Sequence, residues 1–453
     1  MFFPWEDAVK IEYSDKIIRT FRVRIQDKPS YLGLLTSAVG DLSGMFGEIR
    51  TVHIGKGYKV RDLDVYVDTE ETFNNIVNEI KKLDGIELLE IKDLVQDVHE
   101  GGKIKVVSTV DVSSIDELSI VYTPGVASIC RLIFKHPELA HKYTTINKNV
   151  AIVTNGTAIL GLGDIGPVAG MPVMEGKALL FNVLAGLNGY PLLIESKSAK
   201  DIIETVKHIY LTFGAIKLED IKAPECFEIE DELDKCLDIP VMHDDQHGTA
   251  IVVLSALINI AKYTHTNIRE ASVGIIGLGA AGSGIQKLLK AYGVKNIYGT
   301  DLNQDIIDKF VQRGGIYADY TGIMEKSKIV IATTGCPGLI KPEWVRKGQI
   351  ILALSNPDPE IDAEAAIDAG AVFAADGKSI NNALAFPGVF KGAMKANAKY
   401  INNAMKIDAA ITIAKFAGEG DLVPNILNKN VHDAVADAVE KAAYMSGVSK
   451  NIR

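Results

Sequence analysis

The sequence predicts an α/β protein in three parts: a small ferredoxin-like module over residues 1–95, a central α/β domain over 96–250, and a doubly wound parallel-sheet domain with C-terminal helices over 251–453. Three observations predict it. Residues 17–93 alternate strand and helix periodicities in the order βαββαβ. The fingerprint GLGAAG at 277–282 sits inside a complete strand–helix–strand unit. Between these regions, the acid pairs Glu219-Asp220 and Asp244-Asp245 follow apolar, strand-like runs.

In the front module, Phe21, Val23 and Ile25 alternate with Arg22, Arg24 and Gln26, a period of two that marks a half-buried strand. DKPSYLG breaks that strand, and Leu32, Leu35, Val39 and Leu42 then follow at helical spacing. An apolar stretch at 49–54, the turn Gly55-Lys56-Gly57 and the alternation of Leu63, Val65 and Val67 come next. A second helix carries Ile76, Val77, Ile80 and Leu83, and a last strand lies around 86–91. This order, with the Pro-containing turn after the first strand, resembles an ACT domain. The resemblance implies a small effector bound at a pairing interface, and so an allosteric role. Residues 94–115 read as a connector.

Length and composition fit. At roughly 150 residues per domain, 453 residues make about three domains. Lys plus Arg number 48 against 58 Asp plus Glu, a formal net charge of −10, with no basic run, so nucleic acid is a poor partner. The apolar stretch 250–261 is far short of the ~20 residues of a membrane span. The opening MFFPWEDAVK shows no secretory pattern. Cys130, Cys226, Cys236 and Cys336 lack CxxC spacing, which predicts a reducing cytoplasm and free, mostly buried thiols.

GxGxxG occurs twice, and context separates the two. Gly277-Leu278-Gly279-Ala280-Ala281-Gly282 follows the strand-like 272–276 and opens a helix with Ile285, Leu288, Leu289 and Tyr292 on one face. A further strand ends in Asp301. This is a Rossmann dinucleotide site: glycines let the backbone approach the pyrophosphate, and the acid holds the ribose hydroxyls. Asp301 favours NAD over NADP, because a carboxylate repels a 2′-phosphate. The other match, at Gly161, Gly163 and Gly166, carries Asp164 in the loop and is followed by prolines, so it reads as a tight loop. Thr333, Gly335 and Asn356 end later strand-like runs and become candidate cofactor contacts.

A lone Asp-Asp pair is usually a solvated turn. Here the pair ends the run 239–242 and precedes the small-residue helix start Gly248-Thr249-Ala250. Oxygens from two strand ends suit a hard cation, Mg²⁺ or Mn²⁺. His243 and His247 lack the Glu of HExxH and read as structural. Tyr122 precedes a Pro-Gly turn, and Lys177, among apolar neighbours, is a candidate base.

In this order the pieces resemble the small bacterial malic enzymes. The likeness rests on YTPGVA (122–127), NGTAILGLGDIGP (155–167), EGKALLF (175–181), LED (218–220), HDDQHGTA (243–250), GLGAAG (277–282), SNPDPE (355–360) and NNALAFPG (381–388). It implies oxidative decarboxylation of (S)-malate to pyruvate and CO₂ with NAD and Mg²⁺ or Mn²⁺. By that resemblance Glu219, Asp220 and Asp245 match the metal ligands, Lys177 the general base and Tyr122 the general acid. Asn356 and Asn382 match the contacts to malate and nicotinamide, with Asp244 behind the ligands. It also implies a homodimer or higher homo-oligomer. The larger eukaryotic-type enzymes carry an Arg where this chain has Ala158, so the distal malate carboxylate must be held otherwise. Competing readings are a malolactic-type enzyme that retains NAD and releases lactate, a non-catalytic effector-binding homologue, and an amino-acid dehydrogenase.

Overall fold

Strand β1 (Ile17–Gln26) turns Phe21, Val23 and Ile25 inward, as its alternation requires. It lies between β3 (Tyr58–Val67) and β4 (Ile86–Lys92), with β2 (Met45–Gly55) outside β3, so the antiparallel order is β2-β3-β1-β4. The helices Tyr31–Gly40 and Glu70–Ile80 seal the core with Leu35, Val39, Ile76, Val77 and Ile80. The second begins at Thr69, whose Oγ1 accepts the Thr72 N–H at 3.1 Å. On the outward face Arg22 binds both oxygens of Asp62, at 2.7 and 2.8 Å, and Arg24 pairs with Glu87 at 2.7 Å. The split βαβ module is therefore present. The apolar stretch at 49–54 lies on β2, an edge strand, where Ile49, Val52 and Ile54 stand exposed.

The computed structural model describes residues 16–450 apart from residue 160, so the opening MFFPWEDAVK lies outside the described residues. The chain divides into two units, 1–105 and 106–453. The second holds two parallel sheets. One has the order β6-β5-β7-β8, from β5 (Asn149–Thr154), β6 (Asn188–Leu193), β7 (Ala215–Leu218) and β8 (Val241–His243). The other runs β11-β10-β9-β12-β13-β14, from β9 (Ser272–Ile276), β10 (Asn296–Thr300), β11 (Ile316–Tyr317), β12 (Ile329–Ala332), β13 (Ile350–Ala353) and β14 (Phe373–Asp376). That is the doubly wound order, with the switch point beside β9. Every residue of β5, β7, β12 and β13 is buried, as sheets covered on both faces demand.

The apolar stretch 250–261 lies in the helix Asp244–Thr264, which is buried nearly all round. It packs on the fingerprint helix Ala280–Tyr292 and on Asn403–Lys415, so it belongs to the core of both sheets. Residue 250 lies inside it, and the two sheets share this element. The helices Phe386–Lys395 and Lys429–Met445 complete the same core.

Two features depart from the sequence reading. Cys130, Cys236 and Cys336 are exposed, and only Cys226 is buried, since the first three sit on outward helix faces or in a loop. Among the described residues, Ile115–Lys135 alone has the length and hydropathy of a membrane span, yet it is two helices, Ile115–Val121 and Val126–Lys135, parted by a turn with a cis Thr123–Pro124 bond. Neither helix buries a residue.

Candidate active site

Parallel strands deliver their carboxyl ends to one edge, and there the acids collect. β7 runs straight into Glu219 and Asp220, and β8 into Asp244 and Asp245, the first residues of the long helix. Glu219, Asp220 and Asp245 each offer one oxygen, and these three atoms lie within 4.8 Å of one another. Asp220 Oδ2 is buried with no hydrogen-bond donor. Asp220 holds a left-handed backbone, φ 52°, uncommon for a residue with a side chain, and its N–H donates to Asp245 Oδ2 at 3.0 Å. Its carbonyl accepts the Ala158 N–H at 3.0 Å.

Burial and the adjacent Asp245 push the Asp220 carboxyl up to about 7. Burial also acts to raise Asp245, but His243, whose Nε2 is 3.2 Å from Asp245 Oδ2, outweighs it and holds that carboxyl well below the usual range. Three crowded carboxylates, with the Asp220 oxygen left orphaned, fit a hard divalent cation, whose charge would remove the mutual repulsion.

Lys177, from the helix Met171–Leu180, reaches the same cluster. Its Nζ lies 2.8 Å from Glu219 Oε1, 3.0 Å from Asp244 Oδ2 and 3.1 Å from Asn382 Oδ1. A further lysine, Lys217, escaped the sequence reading. It is fully buried in β7, touches Glu219 and lies 3.0 Å from Asp244 Oδ2. Burial pushes its ammonium down to about 8, with Asp244 opposing. Phe386 faces both amines, 5.2 Å from Lys177 Nζ and 4.7 Å from Lys217 Nζ. Gly248 is obligatory beside them: a Cβ there would lie 2.1 Å from Asp244 Oδ1.

Tyr122 is not part of this cluster. It closes the helix Ile115–Val121 with 64% of its surface exposed, its backbone N–H donating to the Leu118 carbonyl at 2.9 Å. The resemblance made it the general acid, and within one chain the fold does not bring it to Lys177.

The fingerprint folds as read. Gly277 has φ 87°, and a Cβ on it would press on the Thr333 carbonyl at 2.7 Å. One on Gly282 would meet the Gly277 carbonyl oxygen at 2.0 Å, whereas Gly279 faces open space where a pyrophosphate could approach. Leu278 donates its N–H to Asp301 Oδ2 at 2.7 Å and Asn303 to Oδ1 at 2.9 Å, fixing that carboxylate at the end of β10. Ala280 and Ala281 begin the helix. Thr333 Oγ1 donates to the Gly277 carbonyl at 2.9 Å, and the Gly335 N–H donates to Ser355 Oγ at 2.8 Å, next to Asn356. Glu360, also missed, is fully buried and accepts from Thr334 N–H, Thr334 Oγ1 and Ser355 Oγ at 2.7, 2.9 and 2.6 Å, tying together the loops after β12 and β13. The first GxGxxG is a tight loop: Gly161, Gly163 and Gly166 all have positive φ, no helix follows directly, and Asp164 pairs with Lys197.

Comparison with known proteins accords with this geometry. Residues 101–201 match the family model described as malic enzyme, N-terminal domain. NAD-dependent malic enzyme 1 of Bacillus subtilis is 52% identical over 94% of this chain and 98% of its own length. The NAD-dependent malic enzyme of Geobacillus stearothermophilus is 38% identical over 95% of each chain. Among solved structures, a malic enzyme from Pyrococcus horikoshii superposes with a TM-score of 0.73 at 39% identity, covering 77% of this chain and 88% of its own. The chain belongs to the malic enzyme family.

Proposed function

We propose that this protein oxidatively decarboxylates (S)-malate to pyruvate and CO₂ with reduction of NAD. The observation that carries the reading is Lys177 Nζ within 3.1 Å of Glu219, Asp244 and Asn382, at the edge where the carboxylates of Glu219, Asp220 and Asp245 converge. Glu219, Asp220 and Asp245 would hold Mg²⁺ or Mn²⁺, which when bound supplies Lewis acidity at the C2 oxygen and the C1 carboxylate of malate. Gly277, Leu278, Gly279, Ala280, Ala281 and Gly282 would hold the pyrophosphate of NAD, Asp301 its ribose, and Thr333, Gly335, Asn356 and Asn382 its nicotinamide end, where NAD would supply the hydride acceptor.

In its neutral amine form Lys177 takes the proton of the C2 hydroxyl as C2 gives up its hydride to NAD, leaving a 3-carboxy-2-keto acid. Loss of C4 as CO₂ then yields the enolate, and Tyr122 protonates C3 to give pyruvate. Asn382, which accepts from Lys177, holds the amine toward the substrate. Each such proton transfer is worth ~10²–10⁴-fold.

The apolar segment that carries Tyr122 supports a homodimer. Val106, Val107, Ile115, Ile120 and Phe134 are all strongly exposed, more than isolated apolar residues on a monomer explain. A second copy covers this face and brings Tyr122 to a Lys177. The front module acts as an ACT-like sensor for a small effector, in a cytoplasmic enzyme with neither membrane nor nucleic-acid partners.

The test is an assay of malate, NAD and Mn²⁺ that follows both NADH and the carbon product. NADH with pyruvate is expected. A bifunctional malic/malolactic enzyme of Bacillus subtilis is 40% identical over 77% of this chain, so lactate without net NADH is the outcome that would replace this reading.

A further inference from the structure

The chain of contacts at the cluster does not end with Lys177. Two lysines reach the same oxygen, Asp244 Oδ2, each at 3.0 Å: Lys177 from its helix and Lys217 from β7. They differ in surroundings. Lys177 keeps some exposure, whereas Lys217 has none and cannot reach solvent or a substrate proton without moving β7. Lys217 also touches Glu219, one of the three carboxylates that fit the cation. A lysine with no exposure, on a strand whose other residues are apolar, costs too much to bury for packing alone. Its position on the strand is specific as well, because the period of two sets Lys217 and Glu219 on one face.

We infer that Lys217 is a fixed counter-charge that sets how the site divides its affinity between cation and dicarboxylate, a positioning residue that never exchanges a proton with substrate. This rests on the functional reading above. Glu219 and Asp244 both lean on the Lys217 ammonium. Without it the cluster is one charge more negative at a place where water cannot screen the difference. A divalent cation is then held more tightly, and a dianionic substrate is repelled. Asp244 also loses one of its two cations and draws Lys177 toward itself, away from Asn382. The two affinities therefore move in opposite directions, which a loss of packing cannot do, since loosening the cluster weakens both.

The experiment uses the full-length protein and the variants Lys217→Gln, Lys217→Met and Lys217→Arg. Free Mn²⁺ is followed by its paramagnetic resonance signal, with no substrate present, and malate KM and kcat are measured at saturating Mn²⁺ and neutral pH. Both neutral variants should bind Mn²⁺ more tightly and raise malate KM, each on the order of tenfold. Lys217→Arg, which retains the charge, should return both values toward those of the unaltered protein. Weaker Mn²⁺ binding in the neutral variants, an unchanged malate KM, or no rescue by Arg would overturn the inference. So would failure of both neutral variants to fold, which would make Lys217 a structural residue. If the unaltered protein binds Mn²⁺ but does not turn over malate, the functional reading fails separately, and the Mn²⁺ arm still decides whether Lys217 weighs against the cation.

Discussion

Glu230 Oε2 and His247 Nε2 lie 3.0 Å apart, inside the protein and on two different helices. The same carboxylate accepts the His243 N–H at 2.7 Å and Gln246 Nε2 at 2.9 Å. On the far side of the ring, Lys406 Nζ stands 3.0 Å from His247 Nδ1. Glu230 thus clasps both ends of the segment that presents Asp244 and Asp245. Burial works to raise its carboxyl, but the His247 hydrogen bond and the Lys406 charge outweigh burial and hold it well below the usual range. Burial pushes His247 down to about 4 and Lys406 down to about 8. At neutral pH the set is a carboxylate, a neutral imidazole and an ammonium.

Removing one member of a buried ionic set leaves the others uncompensated, at about 3–5 kcal/mol. Glu230→Ala should lower unfolding free energy by that order in urea titrations and weaken Mn²⁺ binding through the loosened Asp244-Asp245 turn. Glu230→Gln, which keeps an acceptor, should cost less. A Glu230→Ala protein as stable as the original would refute this account of the clasp.

The carboxylate cluster makes activity dependent on a divalent cation. Dialysis against a chelator should abolish NADH formation, and Mn²⁺ or Mg²⁺ should restore it. Asp245→Asn should weaken Mn²⁺ binding by more than about tenfold, the scale on which even an outer partner of a metal ligand acts. Full turnover in excess chelator would favour an amino-acid dehydrogenase type of chemistry, which needs no paired acids.

Lys177→Ala tests the base. It should cut kcat by ~10²–10⁴. NADH binding, read by its fluorescence, should survive, because the fingerprint Gly277–Gly282 lies on other elements. Unchanged turnover would remove Lys177 from the mechanism.

Much of this was legible in the chain because period and position carry it. Phe21, Val23 and Ile25 declare a strand by alternation, and GLGAAG between β9 and its helix declares a dinucleotide site by context. What escaped was set by partners distant in sequence. Lys217 had one readable signal, a charge within an apolar strand two residues before Glu219, which puts both on one face. Glu230 had none: on an acidic helix it looks like Glu225, Glu228 or Asp231, and only the packing of β8 and Lys406 against it makes it buried. Exposure of Cys130 was hidden for a similar reason. An amphipathic helix predicts an apolar face, but not whether the same chain covers it.

His432 gives stability a pH dependence of calculable sign. Burial holds its imidazole below the ordinary value. Its Nε2 is 2.8 Å from the Ile426 carbonyl, and Nδ1 is buried with no partner, so a second proton would have no acceptor. In the unfolded chain a histidine takes up a proton near pH ~6.5. Below that pH the unfolded state binds a proton the folded state refuses, and stability falls, by at most ~1.4 kcal/mol per pH unit, until the folded-state value is reached. Melting temperatures should therefore drop as pH falls below about 6.5. His432→Gln should show a shallower drop, and an identical slope would assign the effect to other groups.

Tyr122 provides the sharpest test of assembly. It stands 64% exposed on the apolar segment 106–134, while Lys177 is set into the cluster of acids. If a second copy supplies Tyr122, every competent site combines one chain's tyrosine with the other's lysine. Tyr122→Phe and Lys177→Ala should each be nearly inactive alone. When the two are co-folded, half of the dimers are hybrids, and each hybrid holds one site with both groups intact. Activity should then return to roughly a quarter of the original, a consequence of twofold symmetry alone. If both groups came from one chain, a hybrid would contain no site lacking only a partner's group: one site would miss its tyrosine and the other its lysine. The mixture would then stay as inactive as its parents, and Tyr122 would have to reach Lys177 by rearrangement within its own chain.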